Sequence, residues 1–412
     1  MLLRARTLLP VGSPPIDDGA VLVRGESIEA VGRFAELRRA HRGEEEVDLG
    51  DSILLPGLIN AHCHLDYTDM AGKLSPARNF SDWIKAIVAF KAEWSYTDFA
   101  MSWLAGARML LRSGTTTVVD IESIPELLPE VITSTPLNVV SCLELLSVRS
   151  RQSARQMVNA AIETLLSLSA PSAGLSPHAP YSTTPALLRA AAAAAQECGW
   201  LLTTHVAESA DEFEMYQQAR GAMFDWLKPQ RDMGDCGAGS PVAHLARHDV
   251  LSPNFLAVHA NYLAPGDAEL LADSGASVVH CPRSHAFFAH RGFPLAELER
   301  AGVNVCLGTD SLATMAKSRG KPLALNLFSE MRVLAKTFPA LTPQRILEMA
   351  TINAAKAIGR PHDLGRLAQG ARADLIALPL GKSRDPHEAV LNHRGDVSAS
   401  MVRGAWVIPF ST

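Results

Sequence analysis

The sequence predicts an α/β fold: a (β/α)8 barrel of the TIM type, with a small β-sandwich domain formed by both chain ends. Eight short apolar runs recur between residues 54 and 307, and most are followed by a helix-like segment. Buried parallel strands that alternate with helices have this pattern, and eight such units close a barrel. The chain has 412 residues and is 47% hydrophobic, which is enough for one barrel of about 250 residues and a further small domain.

Strand-like segments at both ends of the chain predict the smaller domain. Residues 20–24 and 27–32 form a hairpin pattern with a turn at Gly25, and residues 373–378 and 397–404 are also strand-like. Neither end could bury its own apolar face, so we expect the two ends to pair in one β-domain. The predicted division is a discontinuous β-domain of residues 1–55 and 363–412 and a barrel of residues 56–362.

The apolar runs between those ends predict the barrel strands and the helices that follow them. Pro185 stands at the first position of one predicted helix and Gly199 just past its end, and Thr342 with Pro343 starts another. These residues are typical helix start and stop signals. The predicted barrel strands are residues 54–60, 116–121, 137–142, 173–175, 201–204, 255–258, 276–279 and 303–307.

Composition and charge exclude several classes of partner. The formal net charge of -5 indicates no nucleic-acid surface. The six cysteines contain no CxxC pair, which is typical of a reduced, cytoplasmic protein. Early prolines argue against a signal peptide, and no run reaches the ~18 apolar residues of a membrane span. We therefore expect a cytoplasmic protein without membrane or nucleic-acid partners, and a homodimer is the commonest assembly for such a chain.

Polar residues cluster where the predicted strands end, which is where the active sites of such barrels lie. His62 and His64 follow the first strand two residues apart, so both side chains face the same side. Two adjacent imidazoles suit a borderline divalent metal such as zinc, although such a pair also arises by chance. His205 and Asp310 follow two other strands, which favours a metal site over coincidence. The other histidines at strand ends are His178, His259 and His280.

Several motifs in these strands resemble the signatures of the amidohydrolase superfamily. They are PGLINAHCH at 56–64, THVAE at 204–208, VHAN at 258–261, LGTDS at 307–311 and the re-entry motif GARADL at 370–375. The motifs occur in the family's order and run through the whole barrel. The resemblance implies that a divalent metal ion is held by His62, His64, His205 and Asp310. Zn²⁺ is the expected ion, and Fe²⁺ or Mn²⁺ binds the same set.

The segment after the fourth strand separates two subtypes of that superfamily. Binuclear members carry a carbamylated lysine there, whereas this chain has LSPHAPY at 175–181. The resemblance therefore implies one metal ion and the deaminase branch, which includes cytosine, S-adenosylhomocysteine and chlorohydrolase-like enzymes. Residues 60–67, 176–182 and 280–288 are similar to aminodeoxyfutalosine deaminases of menaquinone biosynthesis, whose substrate is an adenine nucleoside bearing a carboxyphenyl ketone.

The deaminase resemblance implies catalytic roles for Glu208, His259 and Asp310. A metal lowers the pKa of bound water toward roughly 7, so that hydroxide can attack the amidine carbon of the ring and ammonia can leave. Asp310 would accept a proton from the water, and Glu208 would carry protons to the ring nitrogen and the amine. His259 would orient the water or stabilise the developing charge. The structural alternatives are a first-turn carboxylate for Glu208 and a core histidine for His259.

Seven residues are candidates for substrate binding. Related nucleoside deaminases place a carboxylate after strand one, an arginine after strand three and a histidine after strand four. Arg283 or Arg149 would suit a substrate carboxylate, because a guanidinium binds it through two parallel hydrogen bonds. Phe287 or Phe288 would hold a substrate ring. The seven candidates are Glu93, Glu144, Arg149, His178, Arg283, His285 and Ser311.

Alternatives to the leading hypothesis stay open at this point. The same metal set serves deamination of S-adenosylhomocysteine, methylthioadenosine or adenosine, and also removal of chloride or an alkylamine from a triazine-like ring. A metal-free scaffold protein is disfavoured, because scaffold members of the superfamily lost their ligands and this chain keeps all four. The leading hypothesis is metal-dependent deamination of a small heterocyclic amine or nucleoside, with aminodeoxyfutalosine as the first candidate.

Overall fold

The computed structural model describes residues 1–168, 172–315, 323–381 and 383–410. Residues 382, 411 and 412 of the predicted β-domain, and residues 169–171 and 316–322 of the predicted barrel, lie outside the described residues. The strands, in chain order, are β1 (Leu2–Leu8), β2 (Ile16–Arg24), β3 (Ser27–Arg33), β4 (Glu46–Asp48), β5 (Ser52–Pro56), β6 (Leu58–Cys63), β7 (Thr115–Glu122), β8 (Asn138–Leu145), β9 (Ala173–Pro177), β10 (Leu201–Val206), β11 (Phe255–His259), β12 (Ser277–His280), β13 (Asn304–Leu307), β14 (Leu375–Pro379), β15 (Ala399–Val402) and β16 (Ala405–Ile408).

Most of the helices lie between consecutive strands from β6 onward, as the alternating pattern predicts. The helices are α1 (Phe34–Ala40), α2 (Phe80–Lys91), α3 (Tyr96–Arg112), α4 (Leu128–Val131), α5 (Ala154–Ser167), α6 (Pro185–Cys198), α7 (Ala210–Gln218), α8 (Ala222–Leu227), α9 (Pro241–Arg247), α10 (Asp267–Asp273), α11 (Pro282–Phe287), α12 (Leu295–Ala301), α13 (Leu327–Thr337), α14 (Pro343–Met349), α15 (Ile352–Ala357) and α16 (Pro386–Asn392). None of the described helices is long and apolar enough to cross a membrane.

Strands β6 to β13 form one parallel sheet in which each strand pairs with the next along the chain. The first and last strands meet where the backbone N–H groups of Thr309 and Asp310 both donate to the His62 carbonyl, each at 3.1 Å. A parallel bridge also joins Cys63 to Asp310. The sheet is therefore a nearly closed eight-stranded barrel, which confirms the predicted fold class. Because helices cover its outer face, β6, β7, β10 and β11 are buried along their whole length.

The two chain ends form a second, mixed sheet, as predicted. Its strand order is β16-β15-β14-β5-β1-β2-β3, and β4 pairs with β1. The antiparallel pair of β5 and β14 joins the amino-terminal strands to the carboxyl-terminal ones. The β2–β3 hairpin turns at Gly25, which has a φ of +56° that a glycine adopts without strain. The division of the chain at residues 55 and 363 stays a prediction.

The first predicted barrel strand, residues 54–60, is in fact two strands. Its first half belongs to β5 in the terminal sheet, and its second half belongs to β6 in the barrel. Gly57 separates them, and a Cβ atom at this position would lie 2.1 Å from Oγ1 of Thr116. The chain can therefore pass between the two sheets here only without a side chain. Each of the seven other predicted strands overlaps one of β7 to β13.

Candidate active site

Three histidines converge at the carboxyl ends of β6 and β10. One side-chain nitrogen from each of His62, His64 and His205 lies within 4.8 Å of those of the other two, and all three residues are buried. The Nε2 atoms of His64 and His205 are 3.3 Å apart. Residues from two strands that are far apart in sequence thus form one cluster, because the barrel brings their carboxyl ends to the same face.

Asp310 directs its carboxylate to the same cluster from the end of β13. Its Oδ1 atom lies 3.7 Å from Nε2 of His62 and 3.8 Å from Nε2 of His64. Thr314 donates a hydrogen bond of 3.3 Å to the other carboxylate oxygen. The backbone of Asp310 has a φ of +55°, which non-glycine residues rarely adopt and which is often found at functional sites.

Hydrogen bonds behind the cluster hold its members in place. The side chain of Asn60 donates to Oγ1 of Thr309 at 2.7 Å and accepts from the backbone N–H of Thr309 at 3.0 Å, which ties the first barrel strand to the last. Nδ1 of His205 lies 2.8 Å from the carbonyl oxygen of His178. A carbonyl oxygen can only accept, so His205 carries its proton on Nδ1 and presents a lone pair on Nε2, as metal-binding histidines do.

The charge state of these residues fits a divalent cation. Burial lowers the pKa of His205 to about 3 and holds the pKa of His64 well below its ordinary value, so both imidazoles are neutral near pH 7. For Asp310, burial alone would raise the pKa, but the neighbouring imidazoles, His62 first among them, keep it well below its ordinary value. Both ring nitrogens of His62 are buried without a hydrogen-bond partner among the described residues. Neutral imidazoles and an ionised carboxylate form a zinc-type donor set.

Glu208 and His259 form a second polar pair next to the histidine cluster. Oε1 of Glu208 lies 3.5 Å from Nε2 of His259, and both side chains are buried. Burial, helped by the charges of Asp310 and Glu212, raises the pKa of Glu208 well above its ordinary value. Burial also lowers the pKa of His259 well below its ordinary value. The pair can therefore hold a proton on the carboxyl group while the imidazole is neutral, which suits proton transfer at neutral pH.

A cavity of about 300 Å³ opens onto both groups. This volume is at the lower end of the range for small-molecule sites. Its polar wall includes His64, His205, Glu208, His259 and Asp310. The apolar wall is formed largely by α2 and the segments that face it, with Phe80, Trp83, Ile84, Ile87, Val88, Leu146, Val148, Trp226 and Leu227. Such a wall can bind a flat ring, while the polar wall acts on its substituents.

Four of the seven candidate substrate residues line this cavity: Glu144, Arg149, His178 and Ser311. His178 is oriented by a hydrogen bond of 2.7 Å between its Nδ1 and Oγ of Ser182, and its Nε2 lies 3.9 Å from Oε1 of Glu144. Burial lowers the pKa of His178 to about 3, so the ring is neutral and can donate or accept at Nε2. Arg149 is exposed and has a φ of +67°.

Three candidates lie outside the cavity wall, unlike the sequence-based expectation for them. Glu93 lies exposed in the turn between α2 and α3, outside the cavity wall. His285, on α11, places its Nε2 2.8 Å from the carbonyl oxygen of Arg291 and so supports the local chain. Arg283 lies on the same short helix and forms an ion pair with Glu330, whose side chain is completely buried.

The environment of Arg283 explains why it does not face the cavity. Its guanidinium contacts Glu330 through Nε and donates from Nη2 to the carbonyl oxygen of Ala324 at 3.1 Å. The backbone N–H of Arg283 donates to the second carboxylate oxygen of Glu330 at 2.8 Å. The arginine therefore neutralises a buried carboxylate between α11 and α13. Phe288, from the same segment, packs edge-on against Phe80 and Trp83 behind the apolar wall.

Several cavity residues were not identified from the sequence, among them Tyr67, Lys91, Tyr181, Trp226 and Gln230. The ring of Tyr67 stacks on that of His64 with centroids 5.2 Å apart. One signal could have identified the wall formed by α2. Its cavity residues are Phe80, Trp83, Ile84, Ile87, Val88 and Lys91, a spacing of three and four residues that marks one face of a helix.

Comparison with known protein families gives one match over most of the chain. Residues 53–407 match the amidohydrolase family, and residues 19–43 match a bacterial imidazolonepropionase-like composite domain. Among curated proteins, the 5-methylthioadenosine/S-adenosylhomocysteine deaminase of Moorella thermoacetica is 28% identical over 423 residues. That alignment covers 98% of this chain and 90% of the relative.

Two solved structures share the fold along nearly the whole chain. An adenosine deaminase from Xanthomonas campestris with bound zinc superposes with a TM-score of 0.83 at 25% identity, covering 98% of this chain and 92% of that one. Helicobacter pylori aminofutalosine deaminase, in complex with methylthio-coformycin, superposes with a TM-score of 0.85 at 21% identity, covering 99% and 100%. At 21% identity, the likeness to the aminofutalosine deaminase concerns the fold alone.

Proposed function

Because this chain belongs to the amidohydrolase family and is a hydrolytic deaminase, we propose that it removes the 6-amino group of an adenine nucleoside. The observation that carries the proposal is the pairing, in one cavity, of a metal-type cluster with the proton-transfer pair Glu208 and His259. The names of the relatives support the nucleoside class, since they include deaminases of methylthioadenosine, S-adenosylhomocysteine and adenosine.

We propose that one divalent metal ion is bound by His62, His64, His205 and Asp310. The support is geometric and chemical: three imidazoles and one ionised carboxylate converge, and His62 otherwise leaves two buried nitrogens without partners among the described residues. When bound, such an ion supplies a water molecule acidic enough to lose its proton near neutral pH. Zn²⁺ suits this donor set best, and Fe²⁺ or Mn²⁺ can occupy it.

Glu208 is the residue we propose to move protons between water and substrate. Deamination requires that a ring nitrogen gain a proton and that the exocyclic amine leave as ammonia. The raised pKa of Glu208 allows its carboxyl group to hold a proton at neutral pH and donate it to the ring nitrogen. The resulting carboxylate then accepts a proton from water and passes it to the amine. His259, 3.5 Å from Oε1, orients this carboxyl group and stabilises charge that develops on the attacked carbon's oxygen.

Aminodeoxyfutalosine is our first candidate for the substrate, ahead of S-adenosylhomocysteine, methylthioadenosine and adenosine. It is supported by the similarity of residues 60–67, 176–182 and 280–288 to deaminases of that nucleoside. The apolar wall of α2 suits its aryl ring, and Arg149, one of the two arginines predicted from the sequence to bind its carboxylate, lies in the cavity wall. His178 and Ser311 would contact the purine, because both line the polar wall beside the metal-type cluster.

A panel of substrates tests both the deaminase activity and the choice of aminodeoxyfutalosine as substrate. Metal-loaded protein would be incubated with aminodeoxyfutalosine, S-adenosylhomocysteine, methylthioadenosine, adenosine and a chlorinated triazine, and ammonia, chloride and the 6-oxo products would be measured. We expect equal amounts of ammonia and 6-oxo product, and at least about tenfold higher kcat/KM for aminodeoxyfutalosine than for adenosine, because a charge-assisted contact contributes about 1.5–3 kcal/mol. Equal rates would refute the substrate choice alone, whereas chloride release without ammonia would refute the deaminase proposal.

A further inference from the structure

Lys91 is a cationic residue of the cavity wall to which the proposed reaction assigns no role. It is the last residue of α2, and its side chain is half-buried in the wall. Its Nζ donates hydrogen bonds to the hydroxyl groups of Tyr67 and Ser123, the second at 3.2 Å, and lies 4.5 Å from the centre of the Tyr67 ring. An ammonium group has three N–H donors, so one donor remains for a group inside the cavity.

Two acidic groups near Lys91 lie behind this layer of hydroxyls, whereas Glu144, whose charge acts on Tyr67, lines the cavity itself. Ser123 donates a hydrogen bond of 2.7 Å to Oδ2 of Asp66, which is completely buried, and Glu122 lies buried in the same region. Over the described ranges, no carboxylate forms an ion pair with Lys91. Burial raises the pKa of Asp66 to about 8, although the charge of Lys91 acts through space in the opposite direction.

Resting on the proposed nucleoside deaminase activity, we propose that Lys91 selects substrates that carry a carboxylate, by donating a charge-assisted hydrogen bond from Nζ to that group. A cation fixed by two hydroxyls in a narrow, largely apolar cavity gains most from an anionic partner, since such bonds are about twice as strong as neutral ones. Arg149, also in the wall, is exposed and therefore more strongly screened by water. Lys91 is thus the cation better placed to discriminate between charged and neutral substrates.

A matched pair of ligands tests this role without turnover. The ligands are the deaminated 6-oxo product of aminodeoxyfutalosine and its methyl ester, which differ only in the negative charge. Binding would be measured by titration calorimetry on the metal-loaded protein. We expect the intact protein to bind the carboxylate about 10- to 100-fold more tightly than the ester. Lys91→Met should remove most of that preference and leave the affinity for the ester within about twofold.

Two further variants test whether the preference for the carboxylate depends on the positive charge at position 91. Lys91→Arg keeps the cation and should keep part of the preference. Lys73→Met makes the same change at an exposed lysine outside the cavity and should leave both affinities unchanged. If Lys91→Met does not fold, Lys91→Gln, which retains a donor to Tyr67, would replace it. Folding of each variant would be checked by circular dichroism.

The outcomes separate this inference from the proposed function. Equal weakening of both ligands by Lys91→Met would show that Lys91 only supports Tyr67 and Asp66, and would overturn the inference. Absence of any carboxylate preference in the intact protein, or of measurable binding of both ligands, would overturn it as well. A preference that depends on Lys91, found in a protein that releases no ammonia from adenine nucleosides, would support the inference and refute the deaminase proposal.

Discussion

Oε1 of Glu208 and Nε2 of His259 lie 3.5 Å apart in the cavity wall, although the two residues are at the ends of different barrel strands. Glu208 follows β10, and His259 ends β11 with a φ of +75°. The side chain of Asn261 donates to the carbonyl oxygen of Glu208 at 2.9 Å and so ties the two loops together. A strained backbone held by a neighbouring strand is expected where a site is organised before substrate binds.

We predict that Glu208→Gln keeps the metal and the substrate affinity but lowers turnover at least about 10²-fold, because an amide cannot carry the proton. Ammonia release would be measured together with the metal content of the purified variant. Glu214→Gln is the matched control on α7, since Glu214 is half-buried, lies outside the cavity wall and is paired with Arg220. Normal turnover in metal-loaded Glu208→Gln would mean that Glu208, which directly precedes the N-cap residue Ser209 of that helix, carries no proton in the reaction.

Metal content gives the second prediction. We expect one divalent ion per chain in the purified protein and loss of that ion in His62→Ala, because the remaining imidazoles and the Asp310 carboxylate form an incomplete site. Elemental analysis after gel filtration would measure the ratio. His362→Ala, at an exposed histidine, should retain the ion. Two ions in the active protein would contradict a mononuclear site.

The residues at strand ends could be predicted from the sequence because two rules determine their positions. Side chains two apart on a strand face the same side, and parallel strands of a barrel end at one face. His62, His64, His205 and Asp310 follow from those rules and from the family motifs, and the structure brings them together. Apolar runs alone did not show that residues 54–56 belong to another sheet, since both sheets bury such residues.

Residues on helices and loops were harder to predict, because their direction depends on tertiary packing. Arg283 was expected to bind substrate, yet it faces Glu330, a residue 47 positions later whose burial the sequence does not reveal. Lys91 was missed because it lies at the end of a helix that no strand-end rule covers. Tyr67 was missed because it lies in the 3-10 turn Leu65–Met70.

Stability should depend on pH through Glu212, which gives the third prediction. Burial raises the pKa of this side chain to about 8, although its carboxylate accepts a backbone hydrogen bond of 2.9 Å from Glu208. Because the pKa is raised in the folded state, the stability that Glu212 contributes is fully present below the unfolded pKa of about 4.3 and is lost as pH rises toward 8. Between these two pH values, we expect the free energy of unfolding to fall by about 1.4 kcal/mol per pH unit.

Glu212→Gln tests that dependence, because glutamine imitates the protonated side chain and does not titrate. The free energy of unfolding would be measured in urea at several pH values between 5 and 8, with metal concentration held constant. The variant should gain stability relative to the intact protein as pH rises, while Glu214→Gln should follow the intact protein. Parallel curves for Glu212→Gln and the intact protein would show that Glu212 is ionised in the folded state.

The last prediction concerns Arg283, whose expected role changed from substrate binding to stability. Arg283→Met leaves the completely buried Glu330 without its guanidinium partner. Removing one member of such a pair costs about 3–5 kcal/mol, because the remaining charge is buried without compensation. Denaturant unfolding would measure the loss, and burial would raise the pKa of Glu330 further once the arginine is absent.

The double variant Arg283→Met/Glu330→Gln distinguishes this role from a direct contact with substrate. It removes both charges, so most of the lost stability should return, as when buried ion pairs are replaced by neutral residues. Because Arg283 lies outside the cavity wall, we expect both variants to leave the preference for a substrate carboxylate over its methyl ester unchanged. Loss of that preference in a stably folded double variant would instead return Arg283 to the substrate site.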